Sequence, residues 1–448
     1  MGSVVMAVVN NYNPATFNTM QAAIFGRPGM IVGGSVRVPG DKSITHRLLM
    51  LAAMARGASH VRRPLTSLDA RSTARVLRQL GASVSTLRAD GSVTITGRGR
   101  LRQPSARLNC GNAGTTARLL VGLLAAHRFT TELTGDASLR RRPMRRVTQP
   151  LSLMGARTDP PEADALPFAI RGGPLAPLRW DLPVSSAQIK TCLLFAGLAG
   201  GVGVSLHEPH GRSRDHTERL LRSMGYTVAE RRGRVEFEPD GRVVPFEADV
   251  PADPSSAAFL MGAALLADKG ELVLPAVGIN PTRVGFFSVL ERMGAALGLQ
   301  DLAESWGEPS GTVIVRPGAL SATEVVASEI PSLVDEVPML AVLASRAEGV
   351  TAFRDVGELR VKESDRLTLL ARNIRAVGGN AEVQGDDLLV EGSQRPPRGS
   401  VVTQGDHRIA MAFSVLGTVG GARVVVDDPD CANVSFPGFA ATLRSIRR

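Results

Sequence analysis

The hydrophobic and polar positions of this chain repeat in six similar segments, spaced about 70–80 residues apart. Each segment reads as the end of a strand, a polar turn, an Ala- and Leu-rich helix, a glycine-containing turn and a second strand. The copies begin at Val38, Cys110, Leu182, Val250, Ile330 and Thr403. The pattern predicts six related units of mixed α/β structure.

A second helix is predicted in every unit, and in most copies it ends at a glycine that is followed by a strand. Glycine directly after the last helical turn is a common stop, because it adopts the left-handed conformation without a steric penalty. Alternating apolar and polar residues at 92–97 and 234–238 predict additional strands. Each unit is therefore expected to have the order β-α-β-α-β-β.

Six units of this size suggest two lobes of three units each. We expect residues 1–30 to form a flexible leader, residues 42–249 the first lobe, and residues 31–41 plus 250–448 the second lobe. The chain would then cross between the lobes twice, near 34–41 and near 250–253. A solenoid is the alternative for any repeat protein, but solenoid units are shorter and more alike in length.

The composition is that of a globular chain of two or three domains, since 44% of its 448 residues are hydrophobic and 21% are charged. The three cysteines form no CxxC pair and the seven histidines show no HxxxH or HExxH spacing, which argues against a disulfide framework and a metal site. The longest weakly charged stretch is too short and too rich in glycine for a membrane span.

The formal net charge of +10 includes 52 basic residues, of which only four are lysines: Lys42, Lys190, Lys269 and Lys362. A codon bias toward arginine explains the excess. A lysine in such a chain is nevertheless a candidate for a position that needs a compact ammonium group rather than a planar guanidinium. The basic balance suits either nucleic acid or small anionic substrates as partners.

The polar residues of the units gather at the start of the first helix. They are Lys42, Ser43 and Arg47 in the first unit, Asn112, Gly114 and Thr115 in the second, Ser185, Ser186 and Gln188 in the third, Asp335 and Glu336 in the fifth, and Asp406, His407 and Arg408 in the sixth. Free backbone N–H groups and the positive end of the helix dipole make such a position an anion receptor. Ordinary N-capping is the alternative, but it does not require Lys42, Arg47 or Arg408. We therefore expect several helix starts to converge on one positively charged cavity.

Two other segments carry candidate binding residues. The sequence LRVKESDRL predicts a helix on which Lys362 and Arg366 share one face, with Glu363 beside them. The sequence GDASLRRRPM contains three consecutive arginines, of which Arg142 is the last. A guanidinium at this position is able to bind a carboxylate or a phosphate through two hydrogen bonds. A salt-bridged helix end and a basic surface loop are the respective alternatives. His216, in RDHTER, is expected at a solvated helix start.

Together these motifs resemble the 5-enolpyruvylshikimate-3-phosphate synthase (EPSP synthase) family. The motifs that carry the resemblance occur in the family's order between about residues 36 and 437 and are PGDKSITHR, GNAGTTARLL, GDASLRRRPM, VSSAQIK, SRDHTERLL, PSLVDEVPML, LRVKESDRL and GDHRIAMAF. The resemblance implies a two-lobed inside-out α/β barrel with six βαβαββ repeats, three in each lobe. The active site would lie in the cleft between the lobes.

The resemblance also implies an activity. The chain would transfer the carboxyvinyl group of phosphoenolpyruvate to the 5-hydroxyl of shikimate 3-phosphate and release phosphate, in the shikimate pathway to chorismate and the aromatic amino acids. It would be a cytoplasmic monomer that needs no metal or organic cofactor. Its partners would be these two anionic small molecules, with no nucleic acid and no membrane.

Carried over by motif, the resemblance assigns three groups of residues. The expected catalytic residues are Asp335 as the base for the hydroxyl, and Glu363 and Lys42 as the candidates that protonate the methylene carbon. The residues expected at shikimate 3-phosphate are Lys42, Ser43, Arg47, Ser186, Ala187, Gln188, Arg214, Asp335 and Lys362. Those expected at phosphoenolpyruvate are Lys42, Gly114, Arg142, Gln188, Arg366 and Arg408.

The chemistry of the substrates makes sense of so many cations, because each substrate carries a phosphate and a carboxylate. Like charges facing each other across the cleft would hold the lobes apart until the substrates neutralise them. One departure concerns Val434, which precedes SFP where many family members place a lysine against phosphoenolpyruvate. That cation is therefore either absent here or replaced by another.

Two alternative functions compete with this assignment. The UDP-N-acetylglucosamine carboxyvinyltransferase has the same fold and donor, but it places a cysteine in a mobile loop, and the comparable residues 134–144 contain none. A basic nucleic-acid-binding repeat protein is the more distant alternative. Aromatic residues make up only 4% of the chain, which leaves few platforms for base stacking.

Overall fold

The computed structural model of the chain describes residues 29–87, 91–209 and 211–448. The predicted leader, residues 1–30, therefore lies outside the described residues except for its last two positions. Met30 is 1% exposed, and its carbonyl accepts a hydrogen bond from the Asp268 amide at 2.8 Å. The chain is thus already packed against folded structure at Met30.

Helices and strands alternate through the first half of the chain as the sequence pattern predicts. The elements are β1 (Ile31–Ser35), α1 (Lys42–Met54), β2 (Arg56–Arg62), α2 (Leu68–Gln79), β3 (Ser83–Val84), β4 (Ser92–Arg98), β5 (Leu108–Asn109), α3 (Gly114–Ala125), β6 (Thr130–Thr134), α4 (Arg145–Leu153), β7 (Arg157–Asp159), β8 (Phe168–Arg171), β9 (Leu178–Asp181), α5 (Ala187–Gly200), β10 (Val204–His207), α6 (His216–Ser223), β11 (Val228–Arg231), β12 (Arg234–Phe237) and β13 (Glu247–Asp249). The additional strands predicted at 92–97 and 234–238 are present as β4 and β12.

The second half continues the alternation. Its elements are α7 (Pro254–Leu265), β14 (Lys269–Gly278), α8 (Gly285–Arg292), β15 (Ala296–Ser305), β16 (Glu308–Arg316), β17 (Glu324–Val325), α9 (Ile330–Leu333), α10 (Val337–Ala344), β18 (Val350–Phe353), α11 (Arg366–Ala376), β19 (Asn380–Gln384), β20 (Asp387–Glu391), β21 (Arg398–Val401), α12 (His407–Leu416), β22 (Arg423–Val426) and α13 (Phe439–Ser445). Short 3₁₀ turns precede α4, α9 and α11, and another precedes α13.

One strand order recurs in the sheets. The orders β5-β6-β8-β7, β9-β10-β12-β11 and β17-β18-β20-β19 are the same when each is read from its first strand. In each, the first two strands are parallel and the remaining pairs are antiparallel. A parallel pair needs a crossover connection, and here the Ala- and Leu-rich helix of the unit supplies it. The start of that helix therefore lies at the carboxyl end of the first strand.

Two sheets exchange their first strand. β1, at the beginning of the described chain, pairs in parallel with β14 of the second half. β13 pairs in parallel with β2, at the opposite end of the first half. The segments that follow β1 and β13 therefore run side by side, and an isolated bridge joins Gly40 to Ala252.

The described residues form two hydrophobic cores, and each exchanged strand packs in the core of the sheet that it joins. One core contains buried residues from 44 to 250, and the other contains buried residues from 30 to 38 and from 252 to 446. We call the parts of the chain built around them the first lobe and the second lobe. In the described ranges, no helix is long and apolar enough to cross a membrane.

The crossover helices are buried on nearly every face, which explains why their sequences lack a polar stripe. In α5, every residue from Ile189 to Leu198 is buried. Gly122 in α3 permits the close approach of α3 and α5, because a Cβ at this position would lie 2.0 Å from the carbonyl oxygen of Cys192. Close packing of these helices brings their first turns together.

Candidate active site

A cavity of about 160 Å³ lies where the crossover helices of both lobes begin. Its walls contain every residue that the resemblance assigned to the site except Arg366, namely Lys42, Ser43, Arg47, Gly114, Arg142, Ser186, Ala187, Gln188, Arg214, Asp335, Lys362, Glu363 and Arg408. The helix-start residues Asn112, Glu336 and Asp406 do not line it. The volume is below the roughly 300–1,000 Å³ of ordinary ligand pockets. A ligand of ordinary size therefore fits only if the side chains that meet across the cavity separate.

Lys42 is the first residue of α1, and two carboxylates fix its position. Asp41 caps the helix, because its Oδ1 accepts a hydrogen bond from the Ile44 amide at 2.8 Å. The Lys42 ammonium lies 2.8 Å from Oδ2 of Asp69, a residue of α2 that the sequence analysis did not single out. Burial alone would raise the pKa of Asp69, but the Lys42 ammonium, together with His46 and His407, lowers it below the ordinary carboxyl value. The Lys42 side chain therefore extends from a capped helix N-terminus and is held there by its ion pair with Asp69.

Arg47 lies one turn further along α1 and is 2% exposed. Its guanidinium donates to the Thr217 and Thr191 hydroxyls at 2.8 and 2.7 Å and to the Ser43 carbonyl at 2.9 Å. Burial lowers its pKa to about 10, which still leaves the side chain charged at neutral pH. Because these hydrogen-bond partners are neutral oxygens, the positive charge is available to an anion in the cavity.

Arg118 is a cavity residue that the sequence analysis missed. It lies in α3, one turn after Gly114, and donates to Oε1 of Gln188 at 2.7 Å. Burial lowers its pKa to about 9, and the neighbouring charges of Arg146 and Arg142 lower it as well. A single arginine inside an apolar helix was the available signal, since Arg47 occupies a similar place in α1.

Asp335 lies among cations from both lobes. Arg214 of the first lobe forms an ion pair with its carboxylate, and Arg366 and Arg408 of the second lobe lie 3.7 and 3.8 Å from it. Burial alone would raise the pKa of Asp335, but the charges of Arg408, Arg214, Lys362 and Arg366 hold it well below the ordinary carboxyl value. In this arrangement Asp335 is therefore a stable carboxylate and a weak base.

Glu363 has the same kind of environment. It pairs with Arg366 of its own lobe, and its Oε1 lies 3.5 Å from Nη1 of Arg142 in the first lobe. Burial would raise its pKa, but Arg366, His407, Arg142 and Lys42 together bring it well below the ordinary value. Arg366 itself is 1% exposed and lies directly behind Asp335 and Glu363, the two cavity carboxylates with which it pairs.

The prediction of one helix face carrying Lys362, Glu363 and Arg366 is wrong. A 3₁₀ turn spans Gly357–Val361, and α11 begins only at Arg366. Asp365 caps α11 by accepting a hydrogen bond from the Thr368 amide at 3.1 Å, which fixes the helix start there. Lys362 and Glu363 therefore reach the cavity from an irregular segment, and Lys362 pairs with Glu358 at 2.5 Å.

Two further expectations also change. The cleft does not carry like charges alone, because Arg142 with Glu363 and Arg214 with Asp335 are opposite charges that bridge the lobes. His216 begins α6 as predicted, but it is 1% exposed rather than solvated. Its Nδ1 lies 2.7 Å from Glu308 of the second lobe, so this residue belongs to the contact between lobes.

Val434 is the last residue of the 3₁₀ turn Pro429–Val434 and does not line the cavity. The second-lobe cations that do line it are Arg283, Lys362 and Arg408. Within the described ranges, no group of three or more histidine, cysteine, aspartate and glutamate side chains is arranged to hold a metal ion.

The chain matches a family model described as EPSP synthase (3-phosphoshikimate 1-carboxyvinyltransferase) over residues 27–443. A 3-phosphoshikimate 1-carboxyvinyltransferase of Paramagnetospirillum magneticum is 46% identical over 443 residues, covering 95% of this chain and 98% of the relative. One of Thermus thermophilus is 48% identical over 410 residues, covering 91% and 94%. The chain belongs to the EPSP synthase family. The resemblance on which the sequence analysis relied is thereby confirmed.

Solved structures agree with this membership. The EPSP synthase of Acinetobacter baumannii has a TM-score of 0.83 with this chain at 37% identity, covering 95% of this chain and 97% of the other. The enolpyruvyl transferase NikO of Streptomyces tendae has a TM-score of 0.73 at 18% identity, covering 94% and 96%, and is similar in fold. The predicted mixed α/β fold is confirmed, and it is consistent with the two-domain enolpyruvyl transferase fold.

Proposed function

We infer that the cavity between the lobes is the active site of a 3-phosphoshikimate 1-carboxyvinyltransferase. The enzyme moves the carboxyvinyl group of phosphoenolpyruvate to the 5-hydroxyl of shikimate 3-phosphate and releases phosphate, in the pathway to chorismate and the aromatic amino acids. The observation that carries this assignment to the cavity is its charge pattern. Helix starts with their cations surround the half-buried carboxylate of Asp335, which two anionic substrates would both approach.

Shikimate 3-phosphate is placed against the first lobe. Ser43 and Arg47 on α1, and Ser186, Ala187 and Gln188 at the start of α5, form one wall of the cavity. Hydroxyls, helix-start amides and a buried guanidinium are suited to a phosphate and a ring bearing hydroxyls. The proposed contacts from the other parts of the cavity are Lys42, Arg214, Asp335 and Lys362.

Phosphoenolpyruvate is placed between Gly114, Gln188 and Arg142 of the first lobe and Arg366 and Arg408 of the second. Gly114 leaves space for the donor, because a Cβ there would lie 3.2 Å from Nη1 of Arg142. Lys42 stands where the two substrates meet. Arg142 is already paired with Glu363, so an incoming anion has to displace that carboxylate.

The reaction is an addition followed by an elimination. The 5-hydroxyl adds to C2 of phosphoenolpyruvate while C3 takes up a proton, and phosphate then leaves with loss of a proton from the new methyl group. Asp335 accepts the hydroxyl proton, and Glu363 and Lys42 are the candidates that protonate C3. Because the substrates' negative charges share the cations that lower both carboxyl pKa values, binding makes Asp335 a stronger base and Glu363 easier to protonate.

We also propose that the first lobe consists of residues 42–249 and the second lobe of residues 31–41 plus 250–448. The pairing of β1 with β14 and of β13 with β2 supports this division, as do the two separate cores. The strand order that recurs in five four-stranded sheets supports the repeats of an inside-out barrel with three units in each lobe, whereas the sheet of the sixth unit, β21-β22, has two strands in the described chain instead of the expected four.

Phosphate release tests the activity directly. Purified protein is incubated with phosphoenolpyruvate and either shikimate 3-phosphate or UDP-N-acetylglucosamine as the acceptor. We expect phosphate release only with shikimate 3-phosphate. Release only with the nucleotide sugar would overturn the assignment.

Changing Arg142 to alanine is expected to raise the apparent KM for phosphoenolpyruvate more than about tenfold. Loss of a charge-assisted pair costs roughly 2–5 kcal/mol when its partner stays desolvated, and about 1.4 kcal/mol corresponds to a factor of ten. The binary Kd for shikimate 3-phosphate, measured by calorimetry, should change little. The neighbouring Arg141→Ala, which removes an exposed guanidinium, is the matched control and should leave both values unchanged. Equal weakening of both ligands by Arg142→Ala would place this arginine elsewhere in the site.

A further inference from the structure

One buried arginine, Arg283, lies at the centre of three carboxylates. It is 2% exposed, and its guanidinium lies 3.3 Å from Asp41, 3.6 Å from Asp253 and 3.4 Å from Glu336. It also donates to the Ser255 hydroxyl at 2.6 Å. Although Arg283 borders the cavity, both of its Nη atoms are engaged by protein oxygens.

The three carboxylates stand at the starts of three different helices. Asp41 accepts from the Ile44 amide at 2.8 Å and begins α1, while Asp253 accepts from the Ser255 amide at 3.0 Å and begins α7. Glu336 directly precedes α10. Arg283 therefore fixes the ends of the helices that face the cavity.

Two of these carboxylates are neighbours of cavity residues in the sequence. Asp41 precedes Lys42, and Glu336 follows Asp335. Lys42 belongs to the helix that begins the first lobe, whereas Asp335 belongs to the second lobe. The guanidinium of Arg283 thus links the helix start that carries Lys42 to the one that carries Asp335.

The same turn, residues 280–283, holds a third neighbour of a cavity residue. Asn280 donates to Oδ1 of Asp215 at 2.7 Å, and the Thr282 hydroxyl lies 3.4 Å from the same oxygen. Asp215 follows Arg214, which pairs with Asp335 across the cavity. The 280–283 turn therefore contacts the residues next to Arg214 and Asp335 in the sequence, and these two side chains form an ion pair across the cavity.

We propose that the 280–283 turn is a positioning element for the transfer reaction, with Arg283 as its principal positioning residue. It sets the distance between Lys42 and Asp335 by holding Asp41 and Glu336 in one planar fork. A lysine at 283 would keep the charge but has no fork with which to reach both carboxylates. The proposal rests on the proposed function, since Lys42 and Asp335 act there as partners in one reaction.

The test compares Arg283→Met and Arg283→Lys with the wild-type enzyme. A displacement of about 1 Å of reacting groups costs on the order of 100-fold in rate, so we expect kcat to fall about 100-fold in Arg283→Met. We expect a smaller loss, on the order of tenfold, in Arg283→Lys, which keeps the charge without the fork. The calorimetric Kd for shikimate 3-phosphate should rise much less than kcat falls, by at most about tenfold, because Arg47 and the start of α5 still bind it when Lys42, Arg214 and Asp335 are displaced. Rates are measured well below each variant's thermal midpoint and expressed per folded protein.

A second variant separates positioning from stability. Arg283→Met leaves Asp41, Asp253 and Glu336 buried without their shared cation, which destabilises a fold. Arg283→Met combined with Glu336→Gln removes one of these three charges, so we expect the thermal midpoint to recover in part while kcat stays low. Recovery of kcat together with the midpoint would overturn the proposal, as would a kcat of Arg283→Met within about threefold of wild type.

The matched control is Arg354→Met. Arg354 also pairs with two carboxylates, Glu324 at 2.6 Å and Asp387 at 2.9 Å, but it lies at the surface away from the cavity. Its kcat should equal that of the wild type. Wild-type protein that releases no phosphate would reject the proposed function, whereas an active wild type with unaffected Arg283 variants would reject only the positioning role.

Discussion

Replacing Lys42 with methionine is expected to lower kcat about 1,000-fold, because loss of one preorganised donor at a reacting centre costs on the order of 10²–10³. Lys42 is the first residue of α1, and its ion pair with Asp69 at 2.8 Å holds the ammonium where we propose that the two substrates meet. Replacing it with arginine should still cost about 100-fold, since the larger planar head keeps the charge but misplaces the donor. Steady-state phosphate release measures both effects.

The chain provides a matched control for this change in Lys269, the exposed first residue of β14. Lys269→Met and Lys269→Arg make the same chemical changes away from the cavity and should leave kcat unaltered. Near-normal turnover by Lys42→Arg would show that the site needs only a positive charge at this position. Such a result would remove the argument that links the scarcity of lysine to function.

Replacing Asp335 with asparagine is expected to lower kcat about 1,000-fold, within the 10²–10⁴ that a positioned general base contributes. Asparagine keeps the shape of the side chain but cannot accept the hydroxyl proton. Arg214, which pairs with Asp335, would be released toward the substrate phosphate, so the calorimetric Kd for shikimate 3-phosphate should not rise. Asp386→Asn, which removes an exposed carboxylate paired with Arg360, is the control. A kcat for Asp335→Asn within about tenfold of wild type would assign the base to another group.

The pH dependence of the wild-type enzyme provides a second test of Asp335. As the proposed base, Asp335 has to be a carboxylate, so the rate should fall as the pH drops through the pKa of Asp335. In the free enzyme the surrounding arginines hold that pKa well below its usual range, against the opposing effect of burial. Bound substrates share those cations, so the acid limb of kcat should lie at higher pH than that of kcat/KM for shikimate 3-phosphate. If the acid limbs of kcat and kcat/KM coincide, substrate binding does not raise the pKa of Asp335, and this prediction is wrong.

Most of the fold was accessible from the sequence because each helix and strand obeys a local rule. The Ala- and Leu-rich helices are buried on nearly all faces, and glycines such as Gly81 and Gly155 follow the second helices with positive φ. The gathering of polar residues at helix starts was equally local, since it needs only the unsatisfied amides of a first turn. The motifs then identified the family, and the site residues that the resemblance assigned do line one cavity, Arg366 alone excepted.

Spacing in the sequence did not predict the structure where a side chain pairs with a residue distant in the chain, or where a capping residue sets the start of a helix. LRVKESDRL has a helical pattern, yet Asp365 caps α11 at its N-terminus. The helix therefore begins at Arg366 and does not include Lys362 or Glu363. His216 has a charged sequence context, yet it is buried against Glu308, 92 residues away. In both cases a specific hydrogen bond outweighed a weak local preference.

The units, their burial pattern, the family and the residue types that an anionic substrate pair requires can all be predicted from the sequence. Long-range folding sets which charges face each other. The pairs Arg142 with Glu363, Arg214 with Asp335 and Arg283 with Asp41 all join residues that are far apart in the chain. The physical reason is that periodicity and capping act within a few residues. A buried ion pair instead depends on the packing of the two cores and on the exchange of strands, because these bring particular helix N-termini together.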